Sequence, residues 1–306
     1  MKTLRTMIAV LLALSVTAPA GAATLHAIFV IDTDDKSIGQ MVARDLSVVG
    51  DEIQRVAQAT GMTLSDRVFK GRDFTIDNVK NAVNSVAPGP DDVVFFYYSG
   101  HGFRTPPKKS DWPYFYFHSD RVIDFGWVAD TLRNKGARLA ISLVDACNNV
   151  VNVQVREEQK GIPASASKAA AGYKELFLRY RGYVNGASSI PGETSTATGS
   201  GSLFTLSFLK ALRGEIAQAQ PTWKSLMDNA AGSRLTRTSA NGQTMSQQPF
   251  YAMQATRVAD ATPRVARPVI PPQPPAPTVQ FPGATQPPAV QPPQQIPQGQ
   301  WTPITN

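Results

Sequence analysis

The chain has 306 residues, a formal net charge of +7, 42% hydrophobic and 17% charged residues, and a single cysteine. The positive charges are scattered, with no basic run longer than Lys108-Lys109, which argues against a nucleic-acid partner. One cysteine excludes an internal disulfide and leaves a free thiol to be explained.

Residues 1–22 combine a basic start (Lys2, Arg5), an apolar run at 7–16 and the small ending Ala20-Gly21-Ala22, the pattern of a secretory signal peptide cut after Ala22. The apolar run is shorter than the roughly 20 residues of a membrane span, so no stable membrane insertion is expected after cleavage. A cysteine-poor chain with this leader is expected in a bacterial periplasm or outside the cell. Residues 261–306 are dominated by Pro, Gln and Ala and carry too few large apolar groups for a core. They predict a disordered tail of polyproline II character, a solvated spacer or a ligand for a partner. Residues 23–260 remain as one large domain.

Within it, 25–31 (LHAIFVI) reads as a buried strand ending in Asp32-Thr33-Asp34-Asp35. Residues 38–59 space Val42, Leu46, Val49, Ile53 and Val56 on one helical face. A short strand at 67–70 precedes a helix over 75–86 with Thr75 as its cap candidate. After a Pro-Gly turn at 88–91 comes VVFFYYSGHG, residues 93–102. Its continuous apolar run predicts a strand buried on both faces of a parallel sheet. A long aromatic loop with room for a hairpin follows at 103–119, then a helix over 122–134 and a second buried strand at 139–144 that runs into Asp145-Ala146-Cys147. Residues 156–172 are polar and small. A strand at 182–188, helices at 203–212 and 223–235, and a last strand at 248–253 complete the domain. Alternating strands and helices predict an α/β fold with a mainly parallel sheet.

Two buried strands thus end in reactive side chains, His101 and Cys147, 46 residues apart in sequence. If these strands are neighbours, both side chains meet on one edge of the sheet, where open α/β sheets place ligands. A thiol beside an imidazole is a nucleophile with its base. Gly100 and Gly102 leave the main chain approachable, and the N–H groups of Gly102 and Cys147 are candidates for an oxyanion hole.

Ser99-Gly100-His101-Gly102, Asp145-Ala146-Cys147 and the later Ser188-to-Ser195 segment SSIPGETS, in that order, resemble the signatures of the caspase-like cysteine peptidases: caspases, metacaspases, clostripain and gingipains. The resemblance spans about residues 25–250. It implies a three-layer caspase-like fold, with six strands in a mainly parallel sheet and helices on both faces. It also implies a Cys-His dyad that hydrolyses peptide bonds through a thioester. Asn148-Asn149 departs from the residues that follow the cysteine in caspases and metacaspases. By the same resemblance the residue two before the cysteine lines the P1 pocket. Here it is Asp145, and an acid favours cleavage after Arg or Lys. Asp32 or Asp34, after the first strand, would be a second pocket acid, and Ser188 and Ser189 would flank the pocket.

No cofactor is predicted. Several relatives respond to calcium, which leaves calcium activation open, but the acidic loops at 32–35 and 91–92 lack EF-hand spacing. His26, His101 and His118 with one cysteine show no zinc-ligand spacing. Arg156, Lys160 and Lys168 are candidate self-cleavage points. The expected partner is a peptide or protein substrate. The alternatives are a non-catalytic caspase-like binding module with a Pro-rich interaction tail, and a cysteine hydrolase acting on a non-peptide amide.

Overall fold

The computed structural model describes residues 22–149 and 166–258 except 107, 120, 239–241 and 243, with backbone alone for 166–168 and 237. The expected signal peptide, the stretch 150–165 and the Pro-rich tail lie outside the described residues, apart from Ala22.

In chain order the elements are β1 (Thr24–Ile31), α1 (Gly39–Thr60), β2 (Thr63–Phe69), α2 (Ile76–Ser85), β3 (Val93–Ser99), β4 (Gly102–Phe103), β5 (Tyr114–Tyr116), β6 (Val122–Asp124), α3 (Phe125–Arg133) and β7 (Leu139–Asp145). There follow α4 (Ala166–Leu178), β8 (Tyr180–Ala187), β9 (Ala197–Thr198), β10 (Gly201–Ser202), α5 (Leu203–Glu215), α6 (Trp223–Ala231), β11 (Leu235–Thr238), β12 (Thr244–Gln247) and β13 (Phe250–Arg257).

The six-stranded sheet runs β13-β8-β7-β3-β1-β2. All neighbours are parallel except β13, which runs antiparallel to β8. This is the six-stranded, mainly parallel sheet that the resemblance implies, with β7 and β3 at its centre. Every residue of β3 and of β7 is buried, because helices cover both faces. Alternation sorts their side chains. Phe29, Ile31, Phe95, Tyr97, Ile141 and Leu143 pack in one core beneath residues of α1, α4, α5 and α6. Ile28, Val30, Val94, Phe96 and Tyr98 pack in the other, against α2, α3 and the small β4-β5-β6 sheet. Each such side chain contributes roughly 1.5–3 kcal/mol by leaving water.

Local chemistry explains the ends. Thr75 caps α2 by accepting the Asn78 N–H at 3.2 Å, as expected of a Thr before an apolar helical face. Residues 122–124, read from sequence as helix, instead extend the small sheet as β6. Asp124 then caps α3, its carboxylate accepting the Gly126 N–H at 2.8 Å. The β2 edge strand begins at Thr63 rather than 67: its mostly polar first half pairs with β1 along the backbone ladder, and Leu64 there packs against the core. The helix expected to reach 235 stops at Ala231, and Leu235 opens the β11–β12 hairpin.

The chain places β2 on one side of β1 and then crosses to place β3 on the other. The strand order therefore reverses between β1 and β3, and the carboxyl ends of these two strands are where open α/β sheets place their ligands. Residues 32–35 and 99–102 stand at those two ends.

Candidate active site

β3 and β7 are adjacent and parallel, and Ser99 pairs with Asp145 at the end of the ladder. His101 and Cys147 therefore each stand two residues beyond one register pair. The Gly100 N–H still donates to the Asp145 carbonyl at 3.2 Å, which carries the alignment past the sheet. The glycines have a structural origin. A Cβ on Gly102 would lie 2.6 Å from the Cys147 carbonyl oxygen and 2.7 Å from Ala146 Cβ, and one on Gly100 would lie 2.9 Å from Asp32 Cβ. Close approach of the three loop entries demands both glycines.

On the histidine side, His101 Nε2 lies 3.2 Å from Asp35 Oδ2. Asp35 is itself fixed. Its Oδ1 accepts from the Ser37 hydroxyl at 2.6 Å, the Ser37 N–H at 2.7 Å and the Ile38 N–H at 3.0 Å. Burial works to raise its pKa, but these bonds and the nearby His101 outweigh it and bring the carboxyl down to about 2. Asp32 is buried, and its two oxygens lie 2.8 and 2.9 Å from His118 Nε2. Burial raises the Asp32 pKa, and His118 works against the rise. His118 has φ 53°, a left-handed conformation uncommon outside glycine, at the point where its ring reaches Asp32. The His101 and His118 rings stand edge to face, 6.3 Å apart between centroids.

On the cysteine side the surroundings are closed. Burial pushes the Cys147 thiol up, although the Ser195 N–H donates to Sγ at 3.3 Å; the charge of Asp145 pushes it the same way as burial. The thiol in turn donates to the Ser195 carbonyl at 3.6 Å. Asp145 is buried beneath. Its Oδ1 accepts from the Ser195 hydroxyl at 2.6 Å, and its Oδ2 accepts from the Thr205 N–H at 2.9 Å and hydroxyl at 2.8 Å. Burial raises its pKa against these bonds. Asp45, also fully buried, takes the Ser99 hydroxyl at 2.7 Å and the Ser202 N–H and hydroxyl at 2.7 and 2.5 Å. Burial first, then the charge of Asp145, lifts Asp45 to about 7.

The remaining expected residues fall as follows. Ser188 and Ser189 are buried and turned to the Ala146 peptide. The Ser188 hydroxyl accepts from the Ala146 N–H at 3.0 Å and donates to its carbonyl at 2.8 Å, and the Ser189 hydroxyl donates to the same carbonyl at 3.1 Å. They hold the segment that presents Cys147. Asp34 is exposed, on the Gly71 side of its loop. Asn148 ties the cysteine loop down through its N–H to the Glu193 carbonyl at 2.9 Å and its amide to the Asp111 carbonyl at 2.9 Å.

Asp35, His118, Ser195, Thr205 and Asp45 were not singled out by sequence reasoning as site residues. Asp35-Lys36-Ser37 just before a helix is a local Asx-turn signal that marks Asp35 as held. His118 and Ser195 lie in loops with no periodicity to read. Among the described residues, Asp32, Asp35 and His101 offer ligand atoms within 4.8 Å of one another. A cation there would compete with His118 for Asp32 and with His101 for Asp35 Oδ2.

A model of the caspase domain matches residues 44–259. The chain belongs to the caspase-domain family. That family is generally one of cysteine peptidases, hydrolases whose substrates are peptides or proteins. The match contains both dyad candidates, Asp145 and the Ser188–Ser195 segment, and it begins after Asp32, Asp34 and Asp35. Among solved structures the chain is similar to caspase-1 from Spodoptera frugiperda, at 15% identity and TM-score 0.48 over 76% of this chain and 86% of that one. It is also similar to protein GSU0716 from Geobacter sulfurreducens, at 13% identity and TM-score 0.44 over 76% and 93%. No curated protein sequence matches the chain. No helix among the described residues of this caspase domain is long and apolar enough to cross a membrane.

Proposed function

We propose that this chain is an exported cysteine endopeptidase that cleaves after Arg or Lys. The observation that carries the reading is the register of β3 and β7, which sets His101 and Cys147 at the same height beyond Ser99 and Asp145 on neighbouring strands. Burial keeps the resting thiol protonated, so His101 acts as general base during attack. Sγ bonds to the scissile carbonyl carbon as its proton passes to the imidazole. The N–H groups of Gly102 and Cys147 receive the oxyanion. The imidazolium gives the proton to the leaving nitrogen as the C–N bond breaks, leaving a thioester on Cys147. Water, deprotonated by His101, releases the acid and restores the thiol.

The preference for a cationic P1 residue rests on the resemblance at Asp145 and on the ionised carboxylate of Asp35 beside His101; Asp145 itself is buried, with its oxygens taken by Ser195 and Thr205. Fluorogenic peptides ending in Arg, Lys or Asp, assayed side by side with Cys147→Ala as control, test this. Cleavage after Arg or Lys by the wild type alone is expected, and cleavage after Asp would overturn the pocket reading. Export rests on residues 1–22; the N-terminal sequence of the protein from a secretion-competent host is expected to start at Ala23.

A binding module with an interaction tail has one observation on its side, the Ser195 peptide hydrogen-bonded to the half-buried Sγ. The same assay separates the two, because a binding module cleaves none of the peptides.

A further inference from the structure

A histidine that must take a proton from a thiol needs one ring nitrogen bare and the other committed. His101 has a built partner for that commitment. Its Nε2 lies 3.2 Å from Asp35 Oδ2, and the carboxylate is held from behind by three donors on Oδ1. We infer that Asp35 is a positioning residue for His101: its carboxylate, at ion-pair distance from Nε2, holds that side of the ring, leaves Nδ1 as the proton acceptor, and balances the imidazolium formed during attack. The inference rests on the proposed dyad and extends it to a third residue from another strand.

Three features support it. Asp35 lies in the turn four residues beyond β1, the strand next to β3, so it stands at the same end of the sheet as His101. Its Ser37 and Ile38 donors belong to the approach to α1, a 22-residue helix packed on the core, so the carboxylate is fixed before any substrate arrives. The competing acid, Asp32, has both oxygens engaged by His118. The groups around the His101 ring are therefore Asp35 and, further off, Asp32 on the β1 side, and Tyr116 and His118 on the β5 side. Of the two acids, Asp35 is the one with an oxygen within ion-pair distance of His101.

The chain's single cysteine makes the test clean. The rate of alkylation of Cys147 by iodoacetamide is followed against pH in wild type, Asp35→Asn, Ser37→Ala and His101→Ala, with kcat/KM on an Arg peptide measured in parallel. Removing the carboxylate destabilises the imidazolium. Asp35→Asn should therefore move the acid limb of both profiles to lower pH and reduce kcat by roughly ten- to a thousandfold, with little change in KM. Ser37→Ala weakens the loop without touching Oδ2 and should leave the acid limb in place. An unmoved limb in Asp35→Asn, or an equal shift in Ser37→Ala, would overturn the positioning role while leaving the dyad intact. An alkylation profile that His101→Ala does not change would overturn the dyad itself, and the role of Asp35 with it.

Discussion

The two halves of the site are built in opposite ways. The histidine half, at the ends of β1 and β3, is part-exposed and organised by charge: His101 against Asp35 and His118 against Asp32. The cysteine half, at the end of β7, is closed and organised by neutral donors. Ser195, Thr205, Ser188 and Ser189 supply the hydrogen bonds, and the acids inside it are pushed toward their protonated forms by burial. The base is thus set up to carry a positive charge, and the nucleophile is set up to remain a thiol until it loses its proton. The division suits a general-base mechanism better than a resting thiolate–imidazolium pair.

Three substitutions probe this contrast, apart from the one at Asp35. The largest effect is expected for His101→Ala, which leaves the closed half intact and removes the proton acceptor. It should lower kcat on an Arg peptide by about 10²–10⁴-fold, while wild-type circular dichroism is retained; a loss of less than tenfold would mean that the closed half activates its own thiol. Ser195→Ala comes next. It deprives buried Asp145 of one donor, which should cost about 1–3 kcal/mol of unfolding free energy measured in urea. Unchanged stability would mean that the Ser195 hydroxyl does not serve the buried carboxylate.

The smallest effect is one of pH. Asp45 has its pKa raised to about 7 in the fold from the 3.8 of a free carboxyl, so the folded state holds a proton more tightly than the unfolded chain. The stability this contributes is full below 3.8 and is lost as pH rises through about 7. Asp45→Asn removes the titration. The difference in unfolding free energy between wild type and this variant should therefore shift in favour of the variant between pH 5 and 8, and a difference that is constant with pH would show that Asp45 does not retain a proton in the fold.

The central sheet was legible because its signals are local and strong. VVFFYYS is apolar or aromatic up to Ser99, and LAISLVD is broken before Asp145 only by the small Ser142, so both read as strands covered on both sides, and the motif after each marks the edge. The short strands were not. β6, β9 and β10 are two or three residues long and are specified by their partners rather than by any period of their own. The same holds in the site. His101 and Cys147 could be named because each follows a strand. Asp35, His118 and Ser195 act through contacts across 66, 86 and 48 positions of sequence, and spacing carries no trace of such contacts. Glycines 100 and 102 were recognised as close-approach residues, but what approaches them is the neighbouring chain itself.

The central claim is that Cys147 is a nucleophile served by His101. It is tested most directly by reacting the full chain with a peptidyl acyloxymethyl ketone that ends in Arg and locating the adduct by mass spectrometry. One adduct on Cys147 in the wild type, formed at least tenfold more slowly in His101→Ala, is the predicted result. An unmodified Cys147 in folded wild-type protein, or labelling at the same rate in both, would contradict it.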